Sequence, residues 1–95
     1  MQITTITDAP IVPLTQFMRP DGRQVPVTIE VAQDVADKAR TIIARGFRFE
    51  CECLSTGQVS MTITDPEKGD LDIRVRENGP GIREAVEDMV RRFHA

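Results

Sequence analysis

The chain contains no tryptophan and no tyrosine, and its aromatic content of 4% is all phenylalanine. Phe47, Phe49 and Phe93 fall on apolar stripes that a core needs, so no stacking platform for single-stranded nucleic acid is left. The same shortage makes a poor ligand pocket. Histidine is nearly absent: His94, next to the last residue, is the single one. It has no obvious nucleophile to serve, and it cannot complete a zinc site with the cysteines. There are two cysteines, Cys51 and Cys53, and thiols two positions apart cannot staple a secreted mini-protein. No apolar run approaches the roughly 20 residues that cross a bilayer. The start, Met1 to Asp8, lacks the basic and apolar regions of a signal peptide, so a cytoplasmic protein without a membrane partner is expected. Concentrated basic charge is missing too. A net charge of −3 and a pI near 5.1 argue against direct nucleic-acid binding.

With 95 residues, 40% apolar and 28% charged, the composition is that of one ordinary folded domain. Its acidity is uneven. Residues 1–46 hold five acidic and five basic side chains, whereas residues 47–95 hold ten against seven.

The stretch from Phe47 to Arg76 carries the clearest pattern, with three runs in succession alternating apolar and polar side chains. That period of two marks strands with one buried face. Phe47, Phe49, Cys51 and Cys53 share a face, as do Val59, Met61 and Ile63, and then Leu71, Ile73 and Val75. The turns are Leu54–Gly57 and Asp65–Gly69. Tight closure sets Cys53 opposite Val59 and Ile63 opposite Leu71, which places Glu50, Thr62 and Asp72 in one outer row and Glu52, Ser60 and Arg74 in the next.

Before this meander, Ile11–Arg19 and Gln24–Val31 flank Pro20-Asp21-Gly22, a hairpin turn in which Pro fixes φ and Gly supplies positive φ. In the second arm Val25, Val27, Ile29 and Val31 alternate with polar residues and Pro26. Residues 1–10 either extend along a sheet edge or hang free. Val31, Val35, Ala39, Ile42 and Ile43 recur at helical steps and predict a helix from about Val31 to Arg45, stopped by Gly46. Ile82, Ala85, Val86, Met89, Val90 and Phe93 predict a second helix, with Pro80 near its first turn and Arg91 and Arg92 in its last. The order is β-β-α-β-β-β-α. The expected fold is an α+β two-layer sandwich of residues 11–95, with an antiparallel sheet made of the hairpin and the meander and two helices on one face.

Motifs that could carry chemistry are few. Cys51-Glu52-Cys53 reads as two small core residues beside Phe47 and Phe49. Glu77-Asn78-Gly79-Pro80-Gly81-Ile82 resembles the Asp-x-Gly-x-Gly nucleotide box of the gyrase and histidine-kinase ATPase superfamily. Glu77 stands where that family has Asp, no upstream helix offers its magnesium-binding Asn, and a strand-to-helix turn accounts for the same residues. The acidic turn Asp65 to Asp72 has neither EF-hand spacing nor an unbroken set of carboxylates, since Lys68 interrupts it. It reads as a solvated turn, or as an acidic patch for a basic partner. No cofactor, metal or catalytic residue is expected, and the chain is not read as an enzyme.

Gly46-Phe47-Arg48-Phe49-Glu50 running on to Leu54-Ser55-Thr56-Gly57, with Asn78-Gly79-Pro80 and the helix after it, resembles short uncharacterised proteins encoded by bacteriophages and prophages. The resemblance spans roughly Leu14 to Phe93 and implies a bacterial cytoplasm and a host protein or ribonucleoprotein complex as partner. Inhibition of CRISPR interference is its sharpest form. The candidate partner-binding residues are Arg48, Glu50, Glu52, Thr62, Asp65, Glu67, Asp70, Asp72 and Arg74, acting by charge on a basic surface. The alternatives are a structural, assembly or self-associating phage module, with a homo-oligomer as its mark, and a small-ligand binder.

Overall fold

A computed structural model of the chain describes residues 10–24 and 28–94. Residues 1–9, and the valines at 25 and 27 with the proline between them, lie outside the described residues. Six strands and two helices follow in the order β1 (Ile11–Leu14), β2 (Phe17–Met18), β3 (Ile29–Ala32), α1 (Gln33–Ala44), β4 (Arg48–Cys53), β5 (Gln58–Asp65), β6 (Gly69–Glu77) and α2 (Gly81–Arg92). The architecture is the two-layer α+β arrangement that the patterning predicts. No helix among the described residues is long and apolar enough to cross a membrane.

Both helices form on their stripes, except that Val31, expected to open the first, is corrected to β3, where pairing with Val12 of β1 holds it extended. Val35, Ala39 and Ile42 of α1 are buried, and so are Ala85, Val86, Met89 and Val90 of α2. Gly46 ends α1 with φ of 102°, its amide bonded to the Ile43 carbonyl at 2.9 Å, a conformation that favours glycine over any residue with a Cβ. The N-terminus of α1 has no side-chain cap of its own. Instead Glu87 reaches across from α2 and accepts the Ala32 amide at 2.8 Å, where a carboxylate also suits the positive end of the helix dipole. Arg83 and Arg91 flank that carboxylate, which is only 13% exposed. The next amide, that of Gln33, donates to the Pro10 carbonyl at 2.9 Å, so both partners at this helix start come from outside the helix.

The N-terminal hairpin exists, but its first arm is not continuous. Its turn closes as expected, with Gly22 at φ 89° and its amide on the Arg19 carbonyl at 2.8 Å. The first arm breaks at Thr15-Gln16 and divides its strands between two sheets. β1 pairs antiparallel with β3, Leu14 opposite Ile29, in a two-stranded sheet. β2 leaves it and pairs parallel with β4, Phe17 opposite Phe49, so the main sheet runs β2-β4-β5-β6. The single antiparallel sheet expected from hairpin plus meander is therefore corrected to a two-stranded and a four-stranded sheet with one parallel pair. The break lets Leu14 and Phe17, both fully buried, enter one core from different strands, and Phe17 meets Phe49 edge to face at 5.6 Å.

The meander holds the most informative departure. Between β4 and β5 the register is the expected one, Cys53 opposite Val59 and Glu50 opposite Thr62. Between β5 and β6 it starts as expected, Asp65 opposite Gly69 and Thr64 opposite Asp70, then shifts, so that Ile63 faces Asp72 and not Leu71. Leu71 is the extra residue of a β-bulge. Because side chains alternate with a period of two, one added residue exchanges the faces of everything beyond it. Asp72 and Arg74 turn toward the helices, while Ile73 and Val75 turn to the open face. Leu71, Ile73 and Val75, expected in the core, are 43%, 52% and 37% exposed.

Candidate interaction surface

Both helices lie against the face that carries Phe49, Cys51, Met61 and Ile63, so the other face of the four-stranded sheet has no helix on it among the described residues, and Pro20 of the N-terminal turn borders its centre. That outer face is set by register alone. Arg48, Glu50 and Glu52 of β4 stand opposite Thr64, Thr62 and Ser60 of β5, which in turn stand opposite Asp70, Ile73 and Val75 of β6. Glu50, Glu52, Thr62, Asp70 and Ile73 border one shallow depression of 280 Å³. Thr62, at the centre, is only 8% exposed. The Thr64 hydroxyl lies 3.4 Å from a Glu50 oxygen and 3.2 Å from an Asp70 oxygen and donates to one of them at a time, drawing the two carboxylates together. The basin is acidic at its centre, with Arg48 at one end and Ile73 and Val75 along one side.

The nine residues singled out in the sequence therefore divide three ways. Arg48, Glu50, Glu52, Thr62 and Asp70 share the outer face. Asp65 and Glu67 lie at the end of the sheet, where Asp65 accepts the Glu67 amide at 2.8 Å and the turn borders the Arg45–Phe47 corner. Asp72 and Arg74 are corrected to the opposite face by the bulge. There Arg74 donates to both Asp72 oxygens at 3.1 and 3.2 Å and to Asp88 of α2 at 2.6 Å. These bonds, Asp72 first, raise the Arg74 pKa further above its already high ordinary value. Reciprocally, the bond from Arg74 and then that from Arg92 hold the Asp88 carboxyl below its ordinary range, although partial desolvation pulls the other way. These two candidates tie the sheet to α2 and stand apart from the outer face.

Ile73 and Val75 are the surface residues that sequence reasoning missed. Their alternation is real, but alternation does not say which face is the core, and a single bulge reverses the answer.

The cysteines also separate. Cys51 is buried and its thiol is pushed up to about 11, first by burial and then by the neighbouring Cys53. Cys53, expected in the core, is exposed at the end of its strand. Glu77 ends β6 and Asn78-Gly79-Pro80 leads into α2, with the Ile82 amide bonded to the Gly79 carbonyl at 3.2 Å, so the glycine-rich segment serves as a strand-to-helix connection. A larger depression, 400 Å³ beside α2, is lined by residues that include Arg76, Glu84, Glu87, Asp88 and Arg91. Glu87 and Asp88 in it are already paired with arginines.

Compared with family models, curated proteins and solved structures, the chain matches none.

Proposed function

We propose that this protein is a non-enzymatic binding module that docks the outer face of its four-stranded sheet on a basic surface of another protein. The supporting observation is the make-up of the helix-free face. Glu50, Glu52 and Asp70 are gathered in one basin while two large apolar side chains, Ile73 and Val75, are left in water beside them. Exposing an isoleucine that alternation would bury forgoes about 1.5 to 3 kcal/mol of burial. Sequences break such a local rule chiefly where a function compensates. An acidic centre with an apolar margin suits a partner whose cationic patch is edged by apolar surface. In the phage setting implied by the resemblance, the partner is a host complex with a basic nucleic-acid channel, and inhibition of CRISPR interference is the sharpest form of that role.

The test is retention of bacterial proteins on the immobilised chain across a salt series, with Glu50→Lys/Glu52→Lys as the paired variant. The expected result is a defined partner retained at low salt, released as salt rises, and lost in the variant while its melting temperature stays that of the parent. Binding that is indifferent to both salt and charge reversal overturns the reading.

A further inference from the structure

β6 is an edge: among the described residues it has β5 on one side and no strand on the other. It is also the longest strand, at nine residues, and it contains no proline to blunt pairing. Its charges have an order that matters. Across Asp72-Ile73-Arg74 the sequence is complementary to itself under a two-fold axis through Ile73. Antiparallel pairing of two such strands sets Ile73 against Ile73, and Asp72 of each copy against Arg74 of the other on the helix side, where the two intrachain Asp72–Arg74 pairs meet as a group of four alternating charges. Leu71 and Val75 lie on either side. Sliding the pair by one two-residue step sets Asp72 on Asp72 or Arg74 on Arg74, and a parallel in-register pair does both at once. The slipped registers keep some opposite-charge pairs, through Asp70 or Arg76, but of these arrangements only the one centred on Ile73 has no like-charge pair.

We propose that two copies of this chain associate through their β6 edges, antiparallel and centred on Ile73, joining two four-stranded sheets into one continuous sheet. The contact is isologous, as a closed two-fold dimer requires. The half-exposed Ile73 is covered by its own symmetry mate. The axis stands perpendicular to the sheet, so both outer faces point the same way and the acidic basin is presented twice. This inference rests on the edge and its charge order, not on the acidic-face reading.

Sedimentation equilibrium over micromolar to millimolar protein tests it. The wild-type chain is expected to dimerise. Ile73→Lys places two ammonium groups on the axis at an exposed position that the fold does not need, and it should raise the dissociation constant at least roughly tenfold with an unchanged circular dichroism spectrum. Asp72→Arg and Arg74→Asp should each weaken self-association. Mixed in equal amounts, they should form a heterodimer tighter than either homodimer, because each supplies the charge the other needs; an effect confined to the fold of one chain cannot produce that result. A monomer throughout the range overturns the proposal, as does a dimer that Ile73→Lys leaves intact, or a mixture no tighter than its components. Glu50→Lys/Glu52→Lys lies on β4, so loss of partner binding in that variant leaves this result standing.

Discussion

β4 and β6 flank the same central strand, have the same alternating pattern and end on opposite rules. In β4 the apolar members, Phe49 and Cys51, point into the core and the carboxylates of Glu50 and Glu52 point out. In β6 the apolar members Ile73 and Val75 point out, and Asp72 and Arg74 point toward the helices. The difference is one residue. The turn before β5 closes on Gly57 at φ 89° with Leu54 and Gln58 bonded, and nothing disturbs the ladder behind it. The turn before β6 closes equally well on Gly69, also at φ 89°, but Leu71 then slips out of the ladder. Turn chemistry sets where pairing begins, and the bulge decides which face each later side chain takes.

Removing single residues gives the largest contrast. Deleting Leu71 takes away the bulge and leaves every other pairing of β6 in place, so the variant should fold and lose no more than about 1 kcal/mol. Deleting Glu50 from β4 forces either Phe49 or Cys51 to change faces and should abolish cooperative unfolding altogether. Urea titrations followed by circular dichroism distinguish the two, and equal tolerance of both deletions breaks the comparison.

Truncation gives the next effect. Phe49→Ala removes a fully buried ring that packs on Phe17 and should cost about 3 to 5 kcal/mol in the same titration. Ile73→Ala, at a half-exposed site, should stay within about 0.5 kcal/mol at protein concentrations too low for association. Similar losses at both positions would mean that β6 buries its apolar row after all.

The smallest effect is in pH. Because Arg74 and Arg92 depress the Asp88 carboxyl, the charged form is favoured in the folded state. Its contribution is present above the ordinary carboxylate pKa and disappears as pH falls through the depressed value. Asp88→Asn should therefore be slightly less stable than the parent near about pH 6, and the difference should close toward about pH 2. A difference that holds constant over that range would detach Asp88 from the helix-facing side of β6.

Much of this fold is legible in the sequence, for physical reasons. The stripes of α1 and α2 are wide enough to fix the buried sides of both helices, and Gly46 marks a helix stop with a stated backbone cause. The Pro20-Asp21-Gly22 turn and the β4–β5 register follow from turn chemistry and strict alternation. What could not be read depends on contacts far apart in the chain. The break at Thr15-Gln16 gives no local signal that β2 will join β4 in parallel. The tertiary cap that Glu87 supplies to Ala32 spans 55 positions. The bulge at Leu71 adds a residue without altering composition. Five of the nine candidate residues share one surface because the alternation that places them is undisturbed; Asp72 and Arg74 lie beyond the bulge, and Asp65 and Glu67 at the turn.

The account turns on the register of β6, and cross-strand nuclear Overhauser contacts between backbone protons report it directly. The structure predicts contacts pairing Thr62 with Ile73 and Ser60 with Val75. Contacts pairing Met61 with Ile73 and Ile63 with Leu71 would return the apolar row to the core and contradict the account.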